Sequence, residues 1–122
     1  MTQQIVMTTG ATFGMLSVIF GAFGAHALKK ILTTEQLQSF EVGVKYQMYH
    51  AIVLFVLGLN HDYTTNTIYW CFTLGIILFS FSIFGLVIST AKGKKLRFLG
   101  PITPIGGLLL VIGWFLLLVN IF

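Results

Sequence analysis

The ten formally charged residues of this 122-residue chain gather in the short gaps between four long apolar runs. The runs are Ile5–Ala25, Tyr46–Leu59, Thr67–Thr90 and Ile102–Phe122. Three of them have the roughly 20 residues that a helix rising ~1.5 Å per residue needs to cross a hydrocarbon core of ~30 Å. The second is short, but Thr33 or Thr34 can cap a helix that runs through Glu35, Leu37, Phe40, Val42 and Val44 into it. That rod has roughly 25 residues and a length of ~38 Å, beginning outside the core and then crossing it. The chain is therefore expected to fold as an all-α integral membrane four-helix bundle. One domain covers residues 1–122, with helices at about 5–25, 34–59, 67–90 and 102–122.

A net charge of +4 in a soluble protein would point to nucleic acid. Here the basic residues flank apolar spans, where orientation and anionic lipid explain them, and no nucleic-acid partner is expected. Lys29, Lys30 and Lys45 lie in the gap after helix 1, with Glu35 and Glu41; Lys92, Lys94, Lys95 and Arg97 follow helix 3. The N-terminal tail, the Asn60–Asn66 loop and the C-terminus hold neither Lys nor Arg. Positive charge concentrates on cytoplasmic loops, so the protein is expected in the cell membrane with both basic loops inside and both termini outside. Tyr63, Tyr69 and Trp70 would then mark the outer interface and Tyr46 and Tyr49 the inner one. The first run exceeds the ~7–15 residues of a signal-peptide core and has no basic residue before it, so it reads as a retained helix. Cys71 stands alone and can form no intrachain disulfide.

Gly10, Gly14, Ser17, Gly21 and Gly24 recur at spacings of four, three, four and three, a seam of small residues along helix 1. In lipid, where hydrophobic drive between helices is weak, such seams let backbones approach closely. Packing within the bundle is the favoured use, ahead of contact between subunits. Helix 3 carries a sparser version in Gly75, Ser82, Gly85 and Ser89, and helix 4 has Gly106 and Gly113.

Polar residues inside spans need partners and are functional suspects. His26 ends helix 1, while Glu41, Lys45, Tyr46, Gln47 and His50 lie where helix 2 enters the core. His50 can meet Tyr46 or Gln47 on one helix face, and Glu41 and Lys45 have the favourable order for an ion pair. The sharp reading makes His26 and His50 a metal or haem ligand pair, with Glu41 as a third metal ligand. The favoured one is a hydrogen-bonded clasp between helices 1 and 2, with no metal and no cofactor. His61 beside Asp62 reads as a solvated loop residue. No nucleophile with a base, no phosphate-cradling loop and no paired acids are recognisable, so no catalytic residue is assigned.

Pro101 and Pro104 bracket the start of helix 4. Thr103 can cap a helix with Pro104 in its first position, where the missing N–H costs nothing. The exposed N–H groups of such a start, beside Lys94, Lys95 and Arg97, form with Thr103 a candidate site for a lipid phosphate.

Three segments carry a resemblance: Gly21–Leu28, Phe40–Ala51, and Gly100–Gly107 followed by Gly113-Trp114. In order and over nearly the whole chain they resemble the transmembrane-protein-256-like family of small four-helix membrane proteins, classed in bacteria as a domain of unknown function. The resemblance implies a compact four-helix bundle and brings no reaction, substrate or cofactor. Phe79–Phe84 departs from the family's pattern, with a bulky residue between its serines, which argues against a polar role for this part of helix 3.

The expected function is that of a non-enzymatic polytopic membrane protein. It would support membrane stability or a partner complex through helix packing and inner-leaflet contacts with anionic lipids. A homo-oligomer or a partner membrane protein is compatible with that role. A small-solute or proton pathway through His50, Gln47 and Glu41 ranks second, and a metal- or haem-binding membrane protein third.

Overall fold

The computed structural model describes residues 2–122, Ala25 by its backbone alone; Met1, the first residue of the expected domain, lies outside the described residues. Four helices are long and apolar enough to cross a membrane: α1 Gln3–Leu28, α2 Thr34–Leu59, α3 Asn66–Ala91 and α4 Leu99–Ile121. The fold is all-α.

Local chemistry sets most of the helix ends. Thr2 caps α1 by accepting from the Ile5 N–H at 3.2 Å, and Thr65 caps α3 through Ile68 at the same distance. Thr33, rather than Thr34, caps α2. Its hydroxyl accepts from Gln36 N–H, and Gln36 Oε1 accepts from Thr33 N–H at 2.9 Å, a reciprocal box that satisfies two otherwise orphaned donors. At the far end of α3, Gly93 takes φ +79°, with its N–H on Thr90 O and Lys94 N–H on Ser89 O. This left-handed cap uses the last carbonyls of the helix and turns the chain into the basic loop.

The fourth helix starts earlier than the sequence reading placed it. Leu99 and Gly100 donate their N–H groups to Leu96 and Arg97 carbonyls, and Pro101, next in line, has none to place. Thr103 is therefore no cap. It lies one turn inside the helix, its hydroxyl on Leu99 O at 3.3 Å and against Ser82 Oγ. Pro104 stands in the helix interior, where its ring leaves the Gly100 carbonyl without the usual partner four residues on.

α1 packs along α2, and α4 along α3, through glycines. A methyl group on Gly10 would come within 2.7 Å of the Ala51 carbonyl oxygen and the Phe55 nitrogen; on Gly106 it would collide with the Leu78–Phe79 backbone. Gly21 faces Val44 and Gly24 faces Phe40, so the helix 1 seam is used inside the chain. Gly75 meets Leu110, Gly85 meets Leu99 and Gly113 meets Phe72 in the second pair. Each of α1 and α3 also contains a π-helical turn, Ile19–Gly24 and Ile77–Phe81.

The two pairs join along α2 and α3 around two apolar clusters. One, toward the termini, contains Phe13, Leu54, Phe72 and Ile76; the other, toward the basic loops, contains Leu32, Phe40, Phe84 and Val87. The outer faces of α1 and α4 are apolar and exposed, as lipid requires.

Alanine substitutions separate these roles. Gly10→Ala and Gly106→Ala should each lower stability by about 1–3 kcal/mol through overpacking. Gly14→Ala, whose methyl would meet only Ala51 Cβ at 3.9 Å, should be near neutral. Gly93→Ala has open space but a left-handed backbone, and should lose about 1 kcal/mol or more. Gly100→Ala has open space, but it is helical and precedes Pro101, whose ring crowds a Cβ there, so it should gain little or nothing. Unfolding of the five variants in mild detergent, followed by circular dichroism, checks the order.

Candidate functional site

Between the two apolar clusters lies a layer of buried polar side chains. Ser17 follows Phe13 on α1, Gln47 lies between Phe40 and Ala51 on α2, and Ser80 lies between Ile76 and Phe84 on α3. In hydrocarbon such groups must find partners within the protein. Gln47 Nε2 donates to Phe13 O at 3.0 Å, and Ser17 Oγ donates to the same carbonyl at 2.8 Å. Ser80 Oγ donates to Gly43 O at 2.7 Å. The amide of Gln47 thus ties α2 to α1, and the hydroxyl of Ser80 ties α3 to α2. Phe79–Phe84, read from sequence as without a polar role, supplies Ser80 and Ser82 to this framework. Ser82 holds α4 through Thr103.

His50 completes the layer from the same helix. Its Nδ1 lies 2.6 Å from Tyr46 O, and Trp114 Nε1 lies 3.0 Å from its Nε2. An indole N–H can only donate and a carbonyl can only accept, so the two partners together fix the ring as the neutral tautomer with its proton on Nδ1. Phe72, fully buried, fills the angle between the two rings, 5.8 Å from His50 and 5.5 Å from Trp114. A second proton or a metal ion could take Nε2 only by displacing the indole.

This arrangement corrects the expected clasp between His26 and His50. His26 is exposed at the end of α1, whereas His50 reaches across to α4. Gln47 makes the α1–α2 tie instead. Glu41 and Lys45 are exposed, and Tyr46 packs against Phe79 with ring centres 4.9 Å apart and planes tilted by 36°. Among the described residues no group of three His, Cys, Asp or Glu side chains could hold a metal ion together. Tyr69, near the start of α3, turns its ring inward: it is buried, with its hydroxyl 2.8 Å from Thr9 Oγ1. His61, expected in solvent, is half-buried in the His61–Tyr63 turn. Trp114 was not read as a site residue; its signal was the Gly113-Trp114 pair that carries part of the resemblance.

Charge is arranged by end. Gln3 Nε2 reaches Leu59 O, and Asn120 Nδ2 donates to Tyr63 O at 2.8 Å, so both termini and the 60–66 loop share one end. The opposite end carries the 29–33 and 92–98 loops. All seven basic residues lie in that half, Lys94, Lys95 and Arg97 exposed, while Asp62 is the one charged side chain among the described residues of the terminal end. Thr103 does not join Lys94, Lys95 and Arg97 at the surface; it faces Ser82 within the bundle. The expected phosphate cluster therefore loses its hydroxyl.

A family described as "Protein of unknown function (DUF423)" matches residues 20–107. The UPF0382 membrane protein of Staphylococcus haemolyticus is 38% identical over 123 aligned positions, covering 98% of this chain and 97% of the relative. That of Staphylococcus saprophyticus is 35% identical, covering 98% of each. The UPF0382 membrane protein YwdK of Bacillus subtilis is 36% identical, covering 96% and 95%. No solved structure matches.

A double-mutant cycle on Trp114→Phe and His50→Leu should return a coupling of about 0.6–1.7 kcal/mol, the range of hydrogen bonds between membrane helices. Trp114→Phe alone should cost about 1–3 kcal/mol, because it strands the Nε2 acceptor among aromatic rings. Additive effects in detergent unfolding would show that the indole and imidazole do not interact.

Proposed function

Since the chain belongs to the DUF423 family and, like its UPF0382 relatives, is a membrane protein, we propose that it is a non-enzymatic membrane-supporting protein. Its rigid bundle holds a basic face against anionic lipid headgroups of the cytoplasmic leaflet. Its kinship to the transmembrane-protein-256-like proteins is part of the same proposal. The observation that carries the reading is the gathering of all seven basic residues in one half of the bundle. Lys and Arg near an anionic surface contribute about 1 kcal/mol each, and they bias the end that carries them to the cytoplasm. The termini then lie outside. The glycine-sealed helix pairs favour a supporting role over a moving one, since close backbone contact resists sliding.

A C-terminal fluorescent-protein fusion should be dark and a C-terminal alkaline phosphatase fusion active; the reverse pattern would overturn the orientation. In vesicles of phosphatidylglycerol the protein should unfold at higher temperature than in phosphatidylcholine. Joint replacement of Lys94, Lys95 and Arg97 by Gln should remove much of that difference, up to about 3 kcal/mol. Equal stability in the two lipids, or proton or solute flux through the reconstituted protein that His50→Leu abolishes, would replace this reading with a transport role.

A further inference from the structure

At the basic end a recess of about 230 Å³ opens between the first turns of α2 and the last turns of α3. Glu35, Gln36 and Ser39 line one side, Leu86, Val87 and Thr90 the other, and Lys95 closes it from the loop. We propose that this recess binds the headgroup of a zwitterionic phospholipid that carries a primary ammonium group. The proposal rests on the preceding reading only in placing this end of the bundle at the headgroup region.

The lining sorts by depth and by charge. Leu86 and Val87 lie a turn deeper in α3 than Thr90, so the floor is apolar where a lipid's glycerol and first methylenes would lie. The rim offers donors for a phosphate: the Lys95 ammonium, the Ser39 and Thr90 hydroxyls, and the amide nitrogen of Gln36. Gln36 can offer only that nitrogen, because its Oε1 is held by Thr33 N–H.

Glu35 decides the ligand class. A recess built for an anionic headgroup would not be lined by a carboxylate as well as its single lysine. A phosphate with an ammonium two carbons away meets both charges. A primary ammonium can also donate hydrogen bonds to the carboxylate, which a quaternary one cannot. The apolar floor favours a membrane lipid over a free phosphorylated amine. The volume, below the roughly 300–1,000 Å³ of pockets for drug-sized ligands, suits a headgroup whose chains remain in the bilayer.

Native mass spectrometry of the detergent-released protein, given phosphatidylethanolamine, phosphatidylcholine or phosphatidylglycerol in turn, tests this. The ethanolamine lipid should be retained about tenfold better than the choline lipid, the ratio expected for one charge-assisted hydrogen-bonded pair. Glu35→Gln should abolish that preference, Lys95→Gln should weaken both lipids alike, and Glu41→Gln, an exposed carboxylate outside the recess, should change nothing. Absence of the preference, its survival in Glu35→Gln, or its equal loss in Glu41→Gln would overturn the proposal. Stabilisation by phosphatidylglycerol vesicles is read separately in each variant. Losing that stabilisation in the unaltered protein sinks the anionic-surface reading, and losing only the ethanolamine preference sinks the recess.

Discussion

A polar group inside a hydrocarbon layer has no water to fall back on, and in this bundle that requirement converges on α2. Gln47 and the Gly43 carbonyl fix it to its neighbours on either side, and His50 reaches past them to α4. These bonds set the rotation of α2 about its own axis. The glycines set the distance: with Gly10 against the Ala51–Phe55 backbone and Gly106 against Leu78–Phe79, each pair of helices meets main chain to main chain. Apolar packing alone would leave the helices free to turn, since lipid tails are as apolar as leucine.

The same logic places the surface features. The polar layer turns inward, Gln47 Oε1 and Thr73 Oγ1 staying buried without a partner, and the surface left to lipid is largely apolar along the rods. Charge survives only where the helices emerge, and it is gathered at one end by the connectivity of four antiparallel rods. The recess at that end sits where the capping box of α2 and the glycine cap of α3 face each other. Local backbone chemistry thereby positions the groups that a headgroup would meet.

The four spans, and a cap at Thr33 or Thr34, were legible in the sequence because they depend on neighbours within a few residues. So was the inward use of the helix 1 glycines, since only small residues tolerate such approach. The partners of His50 were not. Which indole a histidine meets depends on how two helices are rotated, and in α4 only the spacing of Gly106 and Gly113 marks a face, which does not say what Trp114 meets. The inward turn of Tyr69 was hidden for a related reason, since Thr9 on another helix offers its hydroxyl a buried partner. The start of α4 was misread because Thr103-Pro104 has the pattern of a cap, whereas the carbonyls of Leu96 and Arg97 had already satisfied the first donors.

The hub role of α2 is tested most directly by the nitrogen resonances of the His50 ring in the reconstituted protein, assigned against a variant that lacks it. The account predicts a neutral ring with the proton on Nδ1 and an unprotonated, hydrogen-bonded Nε2 that couples to the Trp114 indole proton. A ring protonated on Nε2, or an imidazolium at neutral pH, would contradict it, because neither can accept the bond that holds α4 to α2.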